Sequence, residues 1–131
     1  MPIIITWDNN EKTVLYVEFQ KPWTWADYDA AIDQSYELVR QQGSVVDIIS
    51  YMPPGTVLPA GSPLEHLRQA MQKRPANAGY AMFVGGNAFG DAVVNSFSAV
   101  YKNFRDTILA ADTVEEARAR LAQRRSKKSA S

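Results

Sequence analysis

The chain contains no cysteine. Disulfides, thiolate nucleophiles and thiolate metal sites are excluded together, and the cytoplasm becomes the default compartment. Histidine is nearly absent as well: His66 is the single one in 131 residues. One imidazole excludes a multi-histidine metal centre and leaves room for one Ser–His–acid relay, yet no serine stands with His66 and an acid in a readable triad. No apolar run approaches the ~20 residues of a membrane span, so membrane insertion is not expected. The opening stretch MPIIITWDNN has neither a basic region nor a cleavage site, and no signal peptide is expected there. Net charge is also missing, with 14 basic against 14 acidic residues. The balance is uneven, because Arg124, Arg125, Lys127 and Lys128 close the chain and leave residues 1–123 at net −4. A nucleic-acid binder carries a basic face with interleaved aromatics, and this domain is mildly acidic, so nucleic acid is not an expected partner. The basic cluster reads as a solvated, disordered tail over 124–131.

What remains suits one domain over 1–123 with one core: 46% of residues are hydrophobic and 21% charged. Ile3-Ile4-Ile5-Thr6-Trp7 is a β-branched and aromatic run that predicts a strand. The turn chemistry of Asp8–Lys12 leads to a second strand, Thr13 to Phe19, whose faces alternate, and the pair predicts an antiparallel hairpin. Thr24 with Asp27 forms a capping box, Trp23 and Tyr28 a hydrophobic staple, and Trp25, Tyr28, Ile32, Ser35, Tyr36 and Val39 recur at helical spacing up to a stop at Gly43. Asp29 and Asp33 lie one turn apart on the acidic side of this helix and read as a solvated face.

Ser44 to Ser50 predicts a short strand holding Asp47. The Pro/Gly-rich loop Tyr51–Gly61 follows, an ordered excursion by composition. Ser62-Pro63-Leu64-Glu65 then opens a helix, with Ser62 as N-cap, Pro63 at N1 and Glu65 completing a box. Pro75 ends it. Gly79–Val84 is apolar on both faces and predicts a central strand. A long helix is predicted from the stripe Phe89, Val93, Phe97, Val100, Tyr101 and Phe104, then a strand over Thr107–Ala111 and a last helix capped by Thr113 and Glu116. The order β-β-α-β-α-β-α-β-α predicts an α/β fold: a mixed sheet of about five strands, parallel except for the N-terminal hairpin, with helices packed on it.

Several stretches invite a chemical reading. Gly85-Gly86-Asn87-Ala88-Phe89-Gly90-Asp91 follows a strand and opens a helix, as a phosphate loop would. It lacks the G-x-G-x-x-G spacing, and Asp91 stands where a P-loop needs Lys, so a tight turn is the better reading. His66, in the first turn of its helix, reads as a structural residue. Trp7, Trp23 and Trp25 read as core and staple, with an exposed tryptophan patch as the alternative.

With this element order and the central loop in place, the chain resembles the STAS or SpoIIAA-like domains, the anti-sigma-factor-antagonist fold. Val45-Val46-Asp47-Ile48-Ile49-Ser50 looks like the family's strand ending in Asp, and Ala60-Gly61-Ser62-Pro63-Leu64 falls where its D-S-S-G-L opens a helix. Ala60 and Gly61 stand in place of the Asp and first Ser, and Pro63 in place of Gly, a pattern similar to stand-alone bacterial members that lack the motif. The resemblance implies a phospho-acceptor position at Ser62 and a regulatory, protein-binding role without catalysis.

The leading expectation is therefore a non-catalytic interaction module with no cofactor and no metal. Its surface would comprise Asp47, Tyr51, Met52, Val57, Leu58, Gly61, Gly85 and Asn87. The alternative is a small apolar, lipid-like ligand held by Tyr51, Met52, Val57 and Leu58 in the 51–61 loop. An enzyme using carboxylates such as Asp47 ranks last. Self-association into a homodimer is suggested by the acidic first helix facing basic residues Arg68, Lys73, Arg74, Lys102 and Arg105.

Overall fold

The structure, a computed structural model, describes residues 2–20, 22–53, 59–61, 63–85 and 108–130. Five strands form one sheet in sequential order: β1 (Ile3–Trp7), β2 (Val14–Phe19), β3 (Val46–Tyr51), β4 (Ala78–Val84) and β5 (Ile108–Ala111). β1 pairs antiparallel with β2, and every later pairing is parallel. The described helices are α1 (Trp25–Gln42), α2 (Pro63–Lys73) and α3 (Val114–Ala130). The α/β architecture with its N-terminal hairpin is the one the element order predicts. The helix predicted over 89–104 lies outside the described residues.

Sequential strand order has a consequence. Each right-handed crossover steps the same way along the sheet, so α1 and α2 land on the same face. Side chains of alternating strand positions confirm it. Val17, Phe19 and Ile108 pack with Tyr28 and Ala31 of α1 and Leu67 of α2, while Leu15 and Val46 pack with Val39. The opposite face presents Val14, Ile49, Met82, Val84 and Ala111 to Ala117 and Leu121 of α3. One period-two strand pattern thus feeds two helical layers.

The local signals on α1 hold in detail. Thr24 Oγ1 accepts the Asp27 N–H at 3.1 Å and Asp27 Oδ2 accepts the Thr24 N–H at 2.9 Å. Gly43 ends the helix at φ 68°, a left-handed position that spares a side chain strain. The staple forms too, with the Trp23 and Tyr28 rings 6.4 Å apart. Phe19, Trp23, Trp25 and Tyr28 make one continuous aromatic cluster with edge-on and tilted pairs. Trp23 and Trp25 are buried within it, so they are core and staple rather than an exposed patch.

At the far end of the domain the reading of the basic cluster needs correction. α3 continues to Ala130, and Arg124 and Arg125 belong to it. Arg124 lies over the Tyr80 ring at 4.9 Å, and Arg125 pairs with buried Asp47 at 3.0 Å. The apolar positions Val114, Ala117 and Leu121 repeat along one face, and Arg125 is the next residue of that face. A cation there reaches carbonyl and carboxylate groups at the sheet's end rather than bulk water.

Candidate functional site

Parallel strands give the sheet two unlike ends. β2, β3 and β4 all finish at the end where α1 and α2 begin, and all start where those helices finish. In such sheets, binding loops gather at the carboxyl ends of the strands. The expected site residues divide between the two.

Asp47 lies at the wrong end for a binding surface. Its residue exposure is 1%, and it sits near the start of β3. The reason is a register shift: Val46 pairs with Ala78 but Ile48 pairs with Ala81, so β4 carries an extra residue opposite Asp47. A bulge of this kind removes a backbone N–H from the ladder. The Asp47 carboxylate supplies the missing acceptor, taking the Tyr80 N–H at 2.7 Å. Its other oxygen takes the Arg125 Nε–H at 3.0 Å. The same guanidinium donates to the carbonyls of Thr13 at 2.8 Å and Val45 at 3.2 Å. Gly79 completes the arrangement, since a Cβ there would collide with Asp47 Oδ1 and Val45. Asp47 is thus a structural carboxylate that satisfies a bulge, and it is not an exposed contact.

Met52 is a second correction. Its N–H donates to the Val84 carbonyl at 3.0 Å, which extends the β3–β4 ladder one residue and turns the side chain into the core beneath α1. Its exposure is 2%. Tyr51 points to the opposite face, half-buried beside the α3 cluster. Gly85 follows β4 at φ 136°, a backbone position suited to glycine. Val57, Leu58, Ser62 and Asn87 lie outside the described residues.

Gly61 lies at the carboxyl edge, beside the start of α1. The 59–61 segment is fastened there to the start of α1. The Trp25 Nε1–H donates to the Pro59 carbonyl at 3.2 Å. Gly61 lies so close to the Trp25 ring that a Cβ would stand 3.0 Å from Cδ1, and its φ of 132° also favours glycine. Beside it the His66 ring stacks flat on Trp25, with centroids 4.6 Å apart and an interplanar angle of 6°. His66 Nδ1 is 3.0 Å from Asp29 Oδ1.

Sequence reasoning treats Trp25, Asp29 and His66 singly and does not assemble them. The available signal is that consecutive parallel crossovers place the first turns of α1 and α2 side by side. Asp29 and His66 each lie one turn inside their helix, which makes them neighbours. Further along the same two helices, Asp33 meets Lys73 Nζ at 3.2 Å. The acidic face of α1 and the basic residue Lys73 therefore complement each other within one chain, which weakens the charge argument for a homodimer. Arg68 and Gln69 hold the Glu65 carboxylate, and the hydrogen bond from Arg68 keeps that carboxyl below its usual range.

Among the described residues, no group of three or more His, Asp or Glu is placed to hold a metal, and no helix is long and apolar enough to cross a membrane. Comparison of the chain with family models, curated proteins and solved structures gives no match.

Proposed function

We propose that the chain is a non-catalytic binding module, SpoIIAA-like in its element order, that engages a protein partner through the carboxyl edge of its parallel strands. One observation carries this reading: the Trp25–His66 stack anchors the 59–61 segment and the start of α2 at that edge. Held by Trp25, Pro59 and Gly61 present their backbone with less ordering entropy to lose on binding than a free segment would. Exposed Ala60 and Gly61 and half-buried Pro59 and His66 lie on the same edge. The resemblance adds Ser62, between this loop and α2, as a phospho-acceptor. A phosphate at a helix start gains from the free N–H groups and changes the charge the partner reads.

The test is site-specific photo-crosslinking in the native host. A photoreactive residue at Ala60 is expected to capture a discrete protein, and one at exposed Gln123, near the other end of the sheet, is not. Capture of the same species from both positions, or from neither, would sink the reading. Capture of a second copy of the chain would assign the edge to self-association. Fragment mass mapping of the purified chain reports whether Ser62 carries phosphate.

A further inference from the structure

β1 is one border of the sheet, and its outer side meets no described strand. Two hydrogen bonds bracket its ladder with β2. The Gln20 N–H donates to the Pro2 carbonyl at 2.6 Å, and the Asp8 N–H donates to the Val14 carbonyl at 2.8 Å. Antiparallel pairs alternate between bonded and non-bonded. Counted inward from both brackets, Ile4–Glu18 and Thr6–Tyr16 are the bonded pairs. β2 agrees, since its Thr13 carbonyl turns the other way and accepts the Asp47 N–H at 2.9 Å. The backbone N–H and C=O groups of Ile3, Ile5 and Trp7 therefore point out from the border. Among the described residues no backbone hydrogen bond reaches them.

The opposite border is built differently. β5 has only four residues, and Arg120 donates to its Ala110 carbonyl at 2.5 Å. Short length and a charge turned onto the strand are ordinary ways to keep a border from pairing. β1 has neither. Its sequence, Ile-Ile-Ile-Thr-Trp, holds no charge and no proline. Ile4 is 40% exposed, one of two large apolar side chains so exposed among the described residues. On the other face Ile5 and Trp7 are half-buried beside Leu38 of α1.

We propose that β1 pairs antiparallel with β1 of a second copy of the chain, about a twofold axis at Ile5 perpendicular to the sheet, so that two sheets become one. The strand's match to itself selects this occupant. With the axis at Ile5, Ile5 faces its own copy and Ile3 faces Trp7 of the second copy. Each outward N–H then meets an outward carbonyl, and none of the groups on these three residues is left over. A strand of another protein would have to reproduce this spacing and this lack of charge, whereas a second copy carries both. Ile4 comes directly opposite Thr6 of the second copy, in a non-bonded pair where side chains approach closely. Such a ladder is short, so the association depends on concentration. The surface is not the carboxyl edge of β2–β4, and either proposal can fail alone.

The test is sedimentation of the full chain at concentrations up to about 1 mM, paired with amide hydrogen exchange by NMR. A dimer is expected. The amides of Ile3, Ile5 and Trp7 should become protected as concentration rises, while those of Ile4 and Thr6, bonded within the chain, should not change. Two double variants probe the register at positions 4 and 6, both exposed. Ile4→Lys with Thr6→Lys sets like charges opposite each other twice and should weaken the dimer roughly tenfold. Ile4→Lys with Thr6→Glu sets opposite charges there and should restore it. If circular dichroism shows either variant unfolded, the concentration dependence of the three amides in the native chain decides. The proposal is overturned if the chain stays monomeric throughout, if it dimerises while those three amides exchange freely, or if the two folded variants associate equally well. Protection of those amides by a different co-isolated polypeptide would overturn it too.

Discussion

At the amino ends of β2, β3 and β4, side chains reach across strands to backbone groups: Arg125 to Thr13 and Val45, Asp47 to Tyr80, Arg74 to Ala78 and Gly79, and Asn77 to Val39 and Ser44. At the carboxyl ends, aromatic rings pack on one another, and polar atoms are spent on fastening a loop. The first end is closed, because its donors and acceptors are used on the fold. The second holds its shape by ring packing and leaves loop backbone at the surface. In a single small domain the division separates what keeps the sheet in register from what can meet a partner.

The comparison predicts that substitutions at the closed end act on stability and those at the loop end act on binding. Gly79→Ala should have the largest effect. Its methyl would occupy the Asp47 carboxylate position, and a loss of roughly 3 kcal/mol or more is expected in the denaturant midpoint. A loss below about 1 kcal/mol would show that the closed end yields, and the contrast would fail. Arg125→Met leaves a buried carboxylate with one donor fewer. Because the arginine side chain is itself 34% exposed, about 2 kcal/mol is expected rather than the full cost of a buried pair. Combined with Asp47→Asn, the losses should be less than additive, read by a double-mutant cycle.

Alkaline pH sharpens the comparison further. Burial raises both Tyr28, by the loop edge, and Tyr36, nearer the closed end, but Arg74 and Arg40 draw Tyr36 back to about 12 while Tyr28 is pushed higher. On titration Tyr36 should ionise first, followed by ring NMR signals. A raised folded pKa gives stability that is complete below the unfolded value near 10 and is lost as pH rises through about 12. At pH 11 the Tyr36 contribution should have fallen by about 1 kcal/mol. The smallest stability effect is expected from His66→Ala, which removes one exposed-edge stack and the contact with Asp29 at about 0.5–1 kcal/mol. That variant should nonetheless lower crosslinking from Ala60. A large stability loss with unchanged crosslinking would reverse the assignment of roles.

Much of this was legible because it is local. The Thr24–Asp27 box, the Gly43 stop and the alternation along β2 are encoded within a few residues and survive folding unchanged. The bulge opposite Asp47 was not, since it depends on a carboxylate meeting an N–H 33 residues away and a guanidinium 78 residues away. Composition made Arg125 look like tail because four cations in five residues ordinarily seek water. Only the helical period running on from Leu121 hinted otherwise. At the loop edge, Trp25 and His66 were noticed separately, and topology alone made them a pair.

The Asp47–Arg125 contact also sets an order of events. On the ribosome, β4 is complete at Val84, and the arginine partner of Asp47 appears 41 residues later, at position 125. At roughly 5–20 residues per second this leaves about 2–8 s in which closing β3 on β4 would bury a carboxylate lacking its cation. Chains arrested before residue 125 are expected to be cut readily by protease, and chains extended past it to resist. Completion of the sheet is thereby tied to the synthesis of α3, so the domain sets last at the point where its strands begin.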